Sequence, residues 1–444
     1  MKKFLRYTFL YTASLFLALS FFNTDRTFEE VADQALEGQI LPDYVQIYGP
    51  FGFYMNVDSH QLLDASRNPT NLLAENFARQ QRPVLILVSA FLSRLIEPAN
   101  DLGVKYFGGR SEKTEGNYNN GYAALLSYVI INFFILWLCF YTNYLNIDNI
   151  FKKSKLKKAI IALTSSFVLF NGLTKMYLIS PHFQLFNILS PILMVHVLTM
   201  EKSNILNAKK LGCLFLSLGV GFLAYKIFVL PIILLFFRSL FLFFQHRNNL
   251  IKRALVLFIC SGLSLIPFIL WNTYLYMQGV EFFDSSLEFQ KEYIINSDSY
   301  FINLLANAYT LLERFLVLAL GTVLGSFSFP FVCFLAMLCF LIYKSSAFDT
   351  ELFNRTSCIL ILSFLLLPAF YSTSGLLEQR ISDSGIYPLL LFLILLVLSL
   401  GQEKAQQDII KIFFYTLALV NFVWIFLYFN FENFIPMSTT YTVS

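Results

Sequence analysis

The chain has 444 residues, of which 57% are hydrophobic and only 14% charged. Soluble globular proteins carry about 25% charged residues, so composition excludes a soluble enzyme and predicts a polytopic membrane protein. The net charge of +4 sits in short Lys/Arg clusters between apolar stretches, which excludes a nucleic-acid binder and fits the basic bias of cytoplasmic loops.

In chain order, the first element is FLRYTFLYTASLFLALSFF, residues 4–22. It follows Lys2 and Lys3, is long enough to span, and precedes no small-x-small cleavage site, so it is predicted to be a retained first span with a cytoplasmic N-terminus. Residues 23–82 carry nine acids, four arginines and no lysine, a bias that places them outside the cytoplasm. Within this outer loop Phe28, Val31, Ala32, Ala35 and Leu36 recur at helical spacing opposite Glu29, Glu30, Asp33 and Glu37. That pattern predicts an amphipathic helix on the membrane surface, ending at Gly38. LPDYVQIYGPFGFY reads as irregular, and TNLLAENFARQ (70–80) as a second surface helix.

RPVLILVSAFLSRLIEP (82–98) is apolar but short. If it crossed fully, the lysine cluster FKKSKLKK (151–158), after the span at 122–145, would fall outside. It is therefore expected to half-insert or lie at the interface. Further spans are expected at 159–179, 184–200, 254–274, 319–343, 356–373, 387–401 and 412–430. The stretch 211–245 is too long for one helix and should break near Tyr225–Lys226. Residues 275–318 read as an outer loop with an amphipathic piece bearing Glu313 and Arg314. The predicted fold class is all-α, a polytopic transmembrane helical bundle of about 11–12 spans. A barrel would show alternation instead.

The six cysteines lack C-x-x-C spacing and the four histidines are scattered, which argues against a disulfide frame or a metal centre. Charges at the membrane boundary are the better candidates for chemistry. Asp25 lies three residues beyond the first span. Its acid neighbours would raise its pKa toward that of a general base, or it is simply the solvated end of a surface helix. Lys226 interrupts the apolar run GVGFLAYKIFVLP, either as a phosphate ligand or as a snorkelling side chain. Arg380, in QRISDSGIYPLLLF, offers a guanidinium that can grip two phosphate oxygens or pair with Glu378 or Asp383. Arg79 and Arg82 are phosphate ligands or interfacial anchors. One acid and separated bases on a single face suit a hydrophilic group leaving a lipid phosphate.

These patterns, in this order, resemble the GT-C superfamily of membrane glycosyltransferases. The resemblance rests on DRTFEEVADQALEG (Asp25 to Gly38), RPVLILVSAFLSRL, LGVGFLAYKIFVLPIILL, PFILWNTYLYMQG (Pro267 to Gly279) and QRISDSGIYPLLLF. Two departures stand out. Asp25 is followed by Arg26 where many members have Glu, and SPHFQLF offers His182 where many carry a second outer acid. The resemblance implies inverting transfer of a sugar from a polyprenyl-phosphate donor on the non-cytoplasmic face of the plasma or inner membrane. Asp25 would be the base and Lys226 and Arg380 would hold the donor phosphate. His182 would stand in the place of the missing acid, with Arg79, Arg82 and Glu29 as further substrate contacts. Residues 1–274 would form the catalytic membrane module, 275–318 an outer loop, and 319–444 the C-terminal helices. Membrane lipid and the lipid-linked donor are the implied partners; acceptor and metal use stay open. The rival expectations are a transporter or flippase, and a surface-polysaccharide polymerase.

Overall fold

A computed structural model describes residues 9, 12 and 13, then 43–48, 51–55, 57–97, 122–245, 250–283, 307–344, 348–372 and 383–427, a few single positions excepted. The predicted first span and the 28–37 surface helix therefore lie outside, or almost outside, the described residues.

The protein is an all-α bundle and an integral, multi-pass membrane protein. Among the described residues, four helical stretches are long and apolar enough to cross a bilayer: 123–150, 226–245, 383–400 and 404–425. Two more crossings follow if each of two bent pairs is one span, 251–262 with 266–277 (43°) and 308–324 with 328–344 (73°). The sequence reading of about eleven spans counted every apolar run. Several of those runs form helices too short to cross by themselves. Helix α2 (Pro83–Leu95) has 13 residues, a rise of about 20 Å against the ~30 Å of a hydrocarbon core.

Two expectations in the outer loop are corrected. LPDYVQIYGPFGFY is not irregular: Asp43–Tyr48 (β1) and Phe51–Met55 (β2) pair antiparallel. Residues 70–80 do not form a surface helix. Helix α1 spans Val57–Arg67 instead, followed by a short 3-10 turn from Pro69 to Leu73 and a run of turns. Gln80 explains the difference. Its buried side chain donates to the Leu72 carbonyl (3.1 Å) and accepts from the Phe283 backbone N–H (2.6 Å). Its own carbonyl accepts from the Trp271 indole (2.9 Å). Tertiary hydrogen bonds thus fix a turn that local spacing alone reads as helix.

The axis of the bundle is α6 (Phe186–Thr199), preceded by α3 (Tyr122–Ile150), α4 (Lys157–Leu169) and α5 (Gly172–Tyr177). Beyond it come the short α7 (Lys202–Leu206), α8 (Ala208–Ala224), α9 (Val229–Gln245), α10 (Leu250–Gly262) and α11 (Ile266–Met277). The C-terminal part holds α12 (Ala308–Leu324), α13 (Ser328–Lys344), α14 (Thr350–Ser372), α15 (Ile386–Leu400) and α16 (Lys404–Leu427). Helix α6 packs against α3, α9, α14 and α15.

Lipid is as apolar as leucine, so close packing and internal hydrogen bonds must hold these helices together. Ser89 and Ser127 hydroxyls meet at 2.5 Å between α2 and α3, and Ser66 meets the Tyr128 hydroxyl at 2.8 Å between α1 and α3. A buried polar seam joins α3, α4, α6 and α15. The Tyr387 hydroxyl donates to Asn143 Oδ1 and accepts from Asn146 Nδ2, both at 3.0 Å. Asn143 donates on to Thr164 and Ser165, and His196 Nδ1 donates to Asn146 Oδ1 at 3.0 Å.

The two ends of the bundle differ. At one end Lys157 pairs with Asp148, and Arg238 donates to the carbonyls of Val197 and Met200, closing the C-terminus of α6. Lys202, Lys209 and Lys210 lie beside it. The opposite end holds the 177–186 segment, the 225–228 turn and the 383–385 turn. The N-terminal part of α6 contacts both of these turns.

Candidate functional site

The site gathers at that second end. Pro83 opens α2, where its missing N–H costs no helical bond, so Arg82 caps the helix start. The preceding turn is closed by the Arg82 N–H on the Arg79 carbonyl (2.9 Å). Both side chains therefore project from one tight turn.

Arg82 Cζ lies 4.1 Å from the Phe183 ring centroid and 5.0 Å from that of Tyr225. Arg79 Cζ lies 5.5 Å from the same Phe183 ring, and its Nε donates to Gln61 Oε1 at 3.2 Å. Arg79 is buried and Arg82 half-buried. A guanidinium over an aromatic face gains about 0.5–2 kcal/mol, more where water is excluded. Phe183 and Tyr225 belong to a ladder of rings. Tyr177 and His182 centroids are 4.6 Å apart, His182 and Phe183 4.5 Å, Phe183 and Tyr225 5.0 Å, Tyr225 and Phe186 6.3 Å, and Phe186 and Phe228 5.4 Å.

Tyr225 stands where α8 stops. Its backbone is extended (φ −160°, ψ 127°), Lys226–Phe228 form a 3-10 turn, and α9 follows. This break matches the one expected from the sequence. The two glycines of LGVGFLAYK explain how it packs. A Cβ on Gly219 would meet the Ser264 carbonyl oxygen at 2.2 Å, and one on Gly221 would meet the Phe228 ring at 2.7 Å. Gly219 thus lets α8 approach the bend between α10 and α11. Gly221 lets the chain after Tyr225 fold back on the helix it has just left.

The loop carrying Phe183 is held as firmly. The two side-chain N–H groups of Asn132 of α3 are shared among the carbonyls of Tyr177, Leu178 and Ser180, each 3.0 Å from the nitrogen, so one of the bonds is bifurcated. His182 Nδ1 accepts the Gln184 N–H at 3.2 Å, which puts the ring proton of a neutral imidazole on Nε2. His182 is wholly enclosed between two rings.

Of the residues singled out from the sequence, Arg79, Arg82 and His182 thus fall in one cluster, which Lys226 borders in the chain. Lys226 is half-buried and follows Tyr225 at the break. Asp25, Glu29 and Arg380 lie outside the described residues, so the predicted meeting of Asp25, Lys226 and Arg380 does too. The aromatic partners were not foreseen. Phe183 and Tyr225 are two rings among 51 Phe and 24 Tyr, and nothing in their spacing marks them. Two guanidinium groups beside one ring suit an anion with several oxygens, which can accept hydrogen bonds from both.

No protein-family model matches the chain, and no curated protein or solved structure is significantly similar to it.

Proposed function

We propose that the protein is a membrane glycosyltransferase that moves a sugar from a polyprenyl-phosphate donor to an acceptor at the non-cytoplasmic face. The observation that carries this reading is the arginine pair, Arg79 and Arg82, held over Phe183 and beside the Tyr225–Lys226 break. It lies at the end of the bundle opposite the lysine-rich turns. By the basic bias of cytoplasmic loops, that end faces away from the cytosol. This reading puts the lipid phosphate there, at the depth of the headgroups. Fixed guanidinium groups there stabilise the charge that grows on the phosphate as the sugar leaves, the term that most lowers such a barrier. Asp25 is the base this reading assigns, taking the proton from the acceptor hydroxyl as the new glycosidic bond forms.

The polar seam of Asn143, Asn146, His196 and Tyr387 is what a transporter reading would build on. Its amides and hydroxyls are engaged with neighbouring helices, which is the use polar side chains have as interhelical glue.

The test is incubation of the purified protein in lipid nanodiscs with a panel of undecaprenyl-phosphate sugars, scored for release of undecaprenyl phosphate. Donor consumption that falls at least tenfold in Arg82→Gln and is abolished in Asp25→Asn, with both variants accumulating normally, supports the assignment. No consumption of any donor, together with no binding of undecaprenyl phosphate, removes it.

A further inference from the structure

The contact of Arg82 with Tyr225 joins two elements that are remote in the chain. The start of α2 carries the arginine turn, and Tyr225 stands at the end of α8. Helix α11 touches both. Phe268 and Trp271 lie three residues apart on it, and therefore on one face. The Trp271 indole N–H donates to the Gln80 carbonyl at 2.9 Å. Gln80 lies inside the turn that the Arg82 N–H closes on the Arg79 carbonyl. The Phe268 ring meets the Phe222 ring edge-on, centroids 6.1 Å apart, and Phe222 precedes Tyr225 by one helical turn.

The chain that leaves α11 adds a second tie on the arginine side. Gly279 ends the helix with φ +72°, a conformation that glycine adopts without strain. Its N–H donates to the Tyr276 carbonyl and the Val280 N–H to the Leu275 carbonyl, both at 3.0 Å. This is the Schellman pair, which turns a chain back along its own helix. Phe282 then packs edge-on against Phe268, centroids 5.6 Å apart, and the Phe283 N–H donates to Gln80 Oε1 at 2.6 Å. Gln80 is wholly buried, and its Nε2 donates to the Leu72 carbonyl at 3.1 Å. A shift of this residue would leave buried polar groups without partners.

We propose that Gln80, Trp271 and Phe268 are positioning residues. They form a brace that sets the spacing between the arginine turn and the Tyr225 break, and so the place where a lipid phosphate is gripped. None of the three needs to touch the substrate. The proposal rests on the glycosyltransferase reading for what is gripped, and on the contacts of α11 for the brace. A displacement of about 1 Å is enough to matter to a site that works by placement.

The test has two arms, both on the full chain in nanodiscs. The first follows hydrogen exchange in peptides covering 79–83 and 222–228, with 177–186, which Asn132 holds, as the reference. Trp271→Phe removes the indole N–H and should speed exchange in 79–83 at least fivefold. Phe268→Leu should do the same in 222–228. The reference should not change in either variant. Gln80→Met, which cuts both side-chain bonds, replaces Trp271→Phe if that variant fails to accumulate. Unchanged exchange in the probed peptides, or an equal rise in the reference, overturns the brace whether or not any lipid binds. The second arm measures affinity for sugar-free undecaprenyl phosphate in a cycle with Arg82→Gln. Trp271→Phe should weaken binding at least fivefold beside the native Arg82, and twofold or less in the Arg82→Gln background, because it acts through that side chain. Equal losses in the two backgrounds overturn the positioning role. No binding of undecaprenyl phosphate by the wild type counts against the phosphate reading and leaves the exchange arm to decide the brace.

Discussion

Arg82 lies 4.1 Å from the Phe183 ring centroid and 5.0 Å from that of Tyr225, so the foot of α2, the loop before α6 and the break between α8 and α9 form one site. The guanidinium gains from both rings only because it is flat. Arg82→Lys keeps the charge but loses the stacked plane and the paired donors. We expect at least a tenfold loss of donor turnover in Arg82→Lys. Phe183→Leu, which leaves Arg82 in place without its face, should cost about 1–2 kcal/mol of donor binding. Donor consumption in nanodiscs checks the first, and binding isotherms for the intact lipid-linked donor check the second.

Gly219 and Gly262 make a paired prediction. A methyl at Gly219 would drive into the Ser264 backbone, whereas one at Gly262 meets nothing within 4 Å. Backbone cannot rotate aside as a side chain can. Gly219→Ala should therefore destabilise the protein by about 1–3 kcal/mol, and Gly262→Ala should be neutral or slightly stabilising. Thermal unfolding in detergent, with both variants side by side, distinguishes a contact effect from a general intolerance of alanine.

Tyr387→Phe removes one hydroxyl from between Asn143 and Asn146 and leaves the ring. Interhelical hydrogen bonds in membranes are worth about 0.6 kcal/mol on average and about 1.7 at most. Two are lost here, so a loss of about 1–2 kcal/mol is expected. In a double-mutant cycle with Asn143→Ala the two effects should fall well short of additive, because the pair shares a bond. Strict additivity would show that the hydroxyl and the amide act independently.

Arg238 closes the C-terminus of α6 by reaching two carbonyls, Val197 and Met200, from inside a spanning helix. Arg238→Met should leave both carbonyls without a donor in apolar surroundings, costing about 2–3 kcal/mol. Arg238→Lys should recover only part, since an ammonium is a point donor without the fork. Chemical unfolding of the three proteins tests the order wild type, Lys, Met.

Some of this was legible in the amino acids. A lysine in the middle of GVGFLAYKIFVLP announced the break at Tyr225, because a charge cannot stay in hydrocarbon and the chain must bring it to an edge. The shortness of α2 was equally plain from its length. What stayed hidden depended on distant partners. The 70–80 segment reads as helix until Gln80 is seen to bond residues from α11 and beyond. The pairing of β1 with β2 was missed because a Gly-Pro step in the sequence and aromatic residues on either side look like punctuation in so aromatic a chain. Asp383 drew notice only as a neighbour of Arg380. That it lies beside Asn171 and Asn187 is a property of the fold, set by how α15 meets α4 and α6.

The grip of Asn132 on the 177–180 turn also bears on how a substrate arrives. Three carbonyls rely on one amide nitrogen, in a medium with no water to replace it. Moving that turn outward would strand all three at once, at several kcal/mol. The wall that carries Phe183 therefore behaves as a fixed jamb.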